Sequence, residues 1–286
     1  VRARHHVVLH HQKSTLYCDS LDYDRKFNFG YFFEGGRLVD GKNTLVSDWG
    51  EYNTNTRKAT FYYSVRLKSP KYDIHTDTLH YDTRIKMAHV TGPSTIYNEG
   101  NLIKTDNGYY DTERDKARLY GRSTVTSKDK TKTITADSLY FNSKTGVNEG
   151  YRNVVYTDVK NKNMLTGNYC YYNDKTGVAL ATRNPTAIDF SQKDTLWMHA
   201  DTIRLKTYHI NTDSVYRKVF GYKHVRVFRN DVQAVCDSMV MNSKDSCLTM
   251  YKDPIVWSGE NRQLLGEEIR VYMRDSTIDW AHVVGQ

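Results

Sequence analysis

The sequence predicts an all-β protein built from about nine copies of one two-stranded repeat of roughly 30 residues. Three observations carry that prediction. Tyr occurs 23 times and aromatics reach 13%, against 4 Pro and 17 Gly, a composition suited to pleated, half-buried strands. An acidic residue returns at a near-constant interval, at Asp19, Asp48, Asp77, Asp106, Asp137, Asp201 and Asp237, with Asn168 and Glu267 completing the series. Around each of these, apolar and polar residues alternate with period two, the strand signature.

Each copy begins with a strand that leads into the acid. Three residues before the acid lie Leu16, Leu45, Ile74, Ile103, Ile134 and Leu165, and immediately before it lie small residues such as Cys18, Ser47, Thr76 and Ala136. Beyond the acid the apolar column resumes at Leu21, Leu79, Leu139, Ile203, Met239 and Ile269, with glycine instead at Gly50 and Gly108. An aromatic column follows at Tyr23, Tyr52, Tyr81, Tyr110, Phe141 and Tyr172. Inward positions therefore fall on odd offsets before the acid and even offsets after it. A period of two changes phase only through a bulge or a sharp bend. The acid is expected to mark a kink, its carboxylate bonding freed backbone N–H groups as in an Asx turn.

The turn comes next, opened by Asp24, Asn53, Asp82, Asp111, Asn142, Asn173 and Asn242, as in Asn142-Ser143-Lys144-Thr145-Gly146. A return strand follows, carrying Gly and Val, as at Gly150 and Val154. Each copy thus supplies two strands and two turns. No Pro-, Gly- or Ser-rich linker interrupts the period, so residues 1–286 are expected to form a single elongated unit. The chain opens and closes on half-repeats, and is expected to be a segment of a longer protein or a unit that stacks on a partner. Without an initiator Met, any leader is expected to have been removed already.

Several classes are excluded. No stretch approaches the roughly 18 apolar residues of a membrane-spanning helix, and disordered chains are poor in aromatics. Lys+Arg 41 against Asp+Glu 33 leave +8, but the cations are dispersed at turns and strand ends (Lys58, Lys116, Lys144, Lys175, Arg217, Lys218), so no nucleic-acid partner is expected. General acid–base chemistry needs two carboxylates in different environments at one place, whereas these recur in nearly every copy. No catalytic residue, cofactor or metal ligand is expected. His5, His6, His10 and His11 form a pairwise cluster, but alternation on a flat strand puts His5 and His6 on opposite faces. Cys18, Cys170, Cys236 and Cys247 are expected to be free, buried thiols, with position 240 facing 247 across the last turn.

The repeat resembles the OstA-like family of lipopolysaccharide-transport proteins. The best match is Ile134-Thr135-Ala136-Asp137-Ser138-Leu139-Tyr140-Phe141-Asn142 with the Gly150 and Val154 strand behind it, and the likeness runs over roughly residues 15–285. The resemblance implies a β-jellyroll, an open V-shaped trough of long bent antiparallel strands whose apolar interior shields acyl chains across the periplasm. It implies no enzymatic activity. The partners implied are lipopolysaccharide or another anionic glycolipid, together with further jellyrolls stacked end to end. On this reading the inward columns touch acyl chains, the acids are structural, and basic residues along the rim attract the headgroup.

Two other readings stand beside it. In a structural or adhesive repeat protein the columns pack on one another and no lumen exists. The glycines at Gly50 and Gly108 would widen a lumen or mark local bulges. A carbohydrate-active β-helix would need one unusual turn, and the irregular excursions at Tyr208–Lys218 and Arg226–Gln233 are the places for it.

Overall fold

The computed structural model describes residues 1–11, 13–259, 262–274 and 277–285, and all regular structure among them is β-strand. No helix among them is long and apolar enough to cross a membrane. The chain divides into two compact units, Val1–Lys130 with Ser138–Lys144, and Thr131–Asp137 with Thr145–Gln286.

The first unit contains β1 (Arg2–His11), β2 (Ser14–Asp24), β3 (Phe29–Asp40), β4 (Asn43–Ser47), β5 (Trp49–Asn53), β6 (Lys58–Lys68), β7 (Tyr72–Asp82), β8 (Met87–Asn98), β9 (Asn101–Asp111) and β10 (Lys116–Thr126). β11 (Lys132–Asn142) contributes residues to both units. The second contains β12 (Val147–Asp158), β13 (Asn163–Asn173), β14 (Val178–Thr182), β15 (Thr186–Asp189), β16 (Leu196–His199), β17 (Thr202–Tyr208), β18 (Tyr216–Arg229), β19 (Val232–Asn242), β20 (Cys247–Tyr251), β21 (Ile255–Ser258), β22 (Arg262–Leu265), β23 (Glu268–Arg274) and β24 (Thr277–Val284).

Sequential antiparallel pairing organises each unit. In the first, β2 pairs β1 and β3, and β7 pairs β6 and β8. Some long strands are interrupted at the acid position: β4 and β5 flank Asp48, and together they face β3 on one side and β6 on the other. In the second unit, β14 and β15 jointly face β13, and β20 and β21 jointly face β19.

The long turns are built by one device. The residue after the aromatic column accepts backbone N–H groups two and three positions on, as Asp24 does from Lys26 and Phe27 at 2.8 and 3.2 Å. Asn53, Asp111 and Asn173 repeat it. The last turn residue is left-handed, and it is glycine only at Gly146 and Gly177 while Asn28, Arg57, Lys86, Asp115 and Ser246 hold the same conformation. Successive turns are tied by a backbone bond, Thr54 N–H to Asn28 O at 3.0 Å and Thr83 N–H to Arg57 O at 3.0 Å. Short polar side chains and this stacking supply what Gly and Pro supply in most hairpins.

Candidate functional site

The phase reversal is located by strand register. On β7 the buried residues are Ile74 and Thr76, then Leu79, so the alternation skips one position at Asp77. Opposite it, β6 carries two residues, Tyr63 and Ser64, between the pairs Tyr62↔Thr78 and Val65↔Thr76. The same two-against-one shift recurs with Arg152–Asn153 opposite Asn168 and Lys223–His224 opposite Asp237. The extra residue is therefore on the return strand, and both of its bulge residues are left-handed: Tyr63 and Ser64 at φ 60° and 51°, Arg152 and Asn153 at 58° and 48°, Lys223 and His224 at 61° and 50°. Non-glycine residues held there cost on the order of 1 kcal/mol or more each.

The acids contact these bulges, though by several kinds of bond rather than one repeated Asx turn. Asp19 Oδ1 accepts the His6 N–H at 3.4 Å and Asn168 Oδ1 accepts the Asn153 N–H at 3.2 Å. Asp137 instead takes the Asn153 side-chain amide at 2.8 Å, Asp201 the His224 ring at 2.9 Å, and Asp237 the Lys252 ammonium at 3.2 Å. Asp77 takes the hydroxyl of Thr78. The backbone N–H of Asp48, Asn168 and Asp201 donates to the first bulge residue of the next return strand, Tyr63, Arg183 and Lys223 respectively. Asp106 lies opposite the Gly92–Pro93 bulge of β8. The flat strand expected at His5 and His6 is not found there, because both sit left-handed in a bulge (φ 64° and 53°).

Several of the bent strands turn the apolar columns of both halves onto one core within each unit. In the first, Leu45 and Ile74 from before the acid share a cluster with Phe32, Phe61, Leu79 and Val90 from after it. In the second, Met198 and Ala234 share one with Ile203, Met239, Met250 and Ile269. Of the column residues, Leu45, Ile74, Leu79, Leu139, Ile203, Met239 and Ile269 are buried. Leu16, Leu21, Tyr23, Tyr81, Ile103, Tyr110, Ile134, Phe141 and Leu165 are half-buried. Tyr52 and Tyr172 lie outside the core, 38% and 45% exposed.

At the glycine positions of this column the space is occupied. A Cβ at Gly50 would stand 2.4 Å from Phe32 and 2.9 Å from Phe61, and one at Gly108 would stand 2.9 Å from Leu119. Neighbouring side chains fill the room that a widened lumen would need. A groove of about 490 Å³ does exist near the N-terminus, but its walls include the exposed Val8, Tyr17 and Val46, and Cys18 alone of the buried column residues.

The column just before the acid differs between units. Thr76 and Thr105 bond Ser94 and Ser123 of the return strands, each at 2.8 Å. Ser47 is 1% exposed and its Oγ has no partner. The reason is local, since Ser47 faces Gly36 on one side and its repeat neighbour on the other is Val65, where later copies have Ser94 and Ser123. In the second unit the equivalent places hold Gly167, Ala200 and Cys236, with Val154, Val225 and the prolines Pro185 and Pro254 buried nearby.

Several other titratable groups are engaged within the fold. All four cysteines are free and buried, and burial pushes Cys170 and Cys236 up to about 11, which keeps them as thiols. Cys247 faces Asn242, not position 240, and Cys236 faces Val225. Tyr110 donates to Asp115 at 2.6 Å, and burial followed by that carboxylate raises its pKa. His80 and His89 stack at 5.5 Å. No cluster of three potential metal ligands occurs among the described residues, and the side chain of His11 lies outside them.

No curated protein matches the chain. Among solved structures it is similar to LptH, the LptA homologous periplasmic component of the conserved lipopolysaccharide transport device from Pseudomonas aeruginosa. The identity is 19% over 47% of this chain and 92% of that one, with a TM-score of 0.34. Residues 1–77, which hold the acids Asp19, Asp48 and Asp77, match the family described as OstA-like protein. This segment is similar to the OstA-like family, and the acid-centred repeat it contains runs on in the same form through Glu267.

Proposed function

We propose that the chain is a non-enzymatic component of lipopolysaccharide transport in the periplasm, binding the lipid A portion through its apolar columns. The observation that carries the reading is the OstA-like match over residues 1–77, together with cores that gather apolar residues from before and after the acids Asp77, Asp201 and Asp237. Leu79, Leu139 and Ile203 are the positions assigned to acyl contact, with Leu16, Leu21, Tyr23, Leu45, Ile74, Met239 and Ile269 along the same columns. The acids from Asp19 to Asp237 hold the bend and take no part in chemistry. Residues 1–286 act as one run of repeats, joining further jellyrolls end to end through the strand edges at β1 and β24.

A second reading, a structural or adhesive β-repeat with a filled core, is favoured by the rings of Phe32 and Phe61 that occupy the space at Gly50. Lipid binding then requires side chains of the columns to give way, because a close-packed interior leaves no room for an acyl chain. Titrating the chain with lipopolysaccharide and with its fully deacylated form separates the two. The transport reading expects binding that is lost on deacylation. Equal affinity for both forms, or none for either, favours the filled repeat.

A further inference from the structure

A long excursion of the repeat lies between β17 and β18, where two tyrosines and three lysines converge. Tyr208 and Tyr216 are direct cross-strand partners, and their rings stack 4.8 Å apart at 4°. Lys206 Nζ and Lys218 Nζ lie 4.8 and 5.8 Å from the centre of the Tyr208 ring, and Lys244 Nζ lies 5.7 Å from that of Tyr216. Lys206 and Lys218 also face each other directly across the ladder. Like charges in that position destabilise a sheet. None of the three lysines has an ion pair among the described residues. Asp245, beside Lys244 in sequence, is engaged with Asn242 at 3.0 Å.

The backbone holds the group in place. Thr207 N–H donates to Gly177 O at 2.9 Å, and the hairpin tip is closed by Thr212 on His209 O. The next turn is fastened to β18 by Arg217 N–H to Ser243 Oγ at 2.8 Å and Ser243 N–H to Arg217 O at 2.9 Å. That pairing brings Lys244 beside the ring stack. Aromatic faces attract ammonium groups without neutralising them, so three ammonium groups without an ion pair among the described residues stand together on one corner.

We propose that Lys206, Lys218 and Lys244, seated on the Tyr208–Tyr216 stack, form a binding subsite for a phosphate group. Several ammonium donors meeting one multivalent oxyanion make charge-assisted hydrogen bonds, and the bound phosphate relieves the Lys206–Lys218 repulsion. The phosphate comes either from the headgroup of a glycolipid or from a free phosphate, and only the first source rests on the transport reading.

The test uses the whole chain in calorimetric titrations with glucosamine 1-phosphate, inorganic phosphate and glucosamine. Both phosphates bind and glucosamine does not, and the triple variant K206Q/K218Q/K244Q weakens phosphate binding at least tenfold. A tighter complex with the sugar phosphate assigns the source to a headgroup, while equal affinities assign it to free phosphate. Retained affinity in the triple variant, or glucosamine binding as well as its phosphate, overturns the subsite. Lys218→Gln alone melts no lower than the parent, because it removes a repulsion; a lower melting point would make the lysine structural and contradict the proposal. Acyl crosslinking at Leu79 in the parent chain keeps the two ideas separate. Its failure with phosphate binding intact in the parent defeats the lipid reading alone.

Discussion

In the first unit the bends are lined by hydroxyls, Thr76 with Ser94 and Thr105 with Ser123, whereas in the second they are lined by Gly167, Ala200 and Cys236 against Val154, Val225, Pro185 and Pro254. The bulges differ as well. In the second unit the first bulge residue is cationic at Arg152, Arg183, Lys223 and Lys252, while the first unit has His5, Glu34, Tyr63 and Gly92. Yet the register shift and the left-handed pair recur in both. What the repeat keeps is therefore a backbone conformation, and two side-chain chemistries satisfy it. The hydroxyl pairs meet buried polar groups with partners, and the apolar version removes the polar groups.

If the comparison is sound, the cores behind the bends respond alike. Leu79→Ala in the first unit and Ile269→Ala in the second each cost about 2–5 kcal/mol in denaturant unfolding, the range for emptying a fully buried aliphatic site. A loss below about 1 kcal/mol at either site would show that one core is loosely packed. The bends themselves respond differently. Ala200→Thr forces extra volume and a hydroxyl into a fully buried methyl site, and costs about 1–3 kcal/mol. Thr105→Val removes a hydroxyl bonded to Ser123 Oγ, to Asn107 O and to the Asn107 N–H, and costs about 1 kcal/mol for the buried Ser123 bond. Similar costs for the two exchanges would erase the distinction between the units.

Ser47 sharpens the comparison from within the first unit, because it has that unit's hydroxyl and the second unit's valine neighbour. Ser47→Ala removes an unsatisfied buried oxygen and raises stability by up to about 1 kcal/mol. The smallest effect is on pH dependence. The turn acceptor Asp111 is held below its ordinary carboxyl value by the Arg114 N–H and, against a burial penalty, the Glu113 N–H. A depressed folded pKa gives stability that is present above the unfolded value and lost as pH falls through the folded one. The second unit uses the uncharged Asn173 and Asn242 at the same turn position. Asp111→Asn therefore flattens the acid limb of the melting curve below about pH 4, and Asn173→Asp steepens it.

The bend was legible because alternation is a strict period: Ile74, Thr76 and Leu79 cannot face one core without a shift at Asp77. The turns were legible because an Asn or Asp opens each of them. The left-handed pair was not, since Tyr63–Ser64, Arg152–Asn153 and Lys223–His224 share no residue type. Sequence placed the kink on the acid's strand, while the extra residue sits across the ladder. The aromatic column misleads at Tyr52 and Tyr172 because a tyrosine at a strand end can keep its ring in water with its stem against the sheet. The lysine cluster was hidden because Lys206 and Lys218 meet only through hairpin register, and Lys244 arrives from the following turn.

The central claim is that the columns on either side of each bend are the lipid-contacting surface. A benzophenone amino acid placed at Leu79, Leu139 and Ile203, with Tyr97 and Arg204 as outward controls, tests it when the chain is irradiated with lipopolysaccharide. Acyl-chain adducts at the three column positions and not at the outward ones are the expected result. Adducts at Tyr97 and Arg204, with none at Leu79, Leu139 or Ile203, would contradict it.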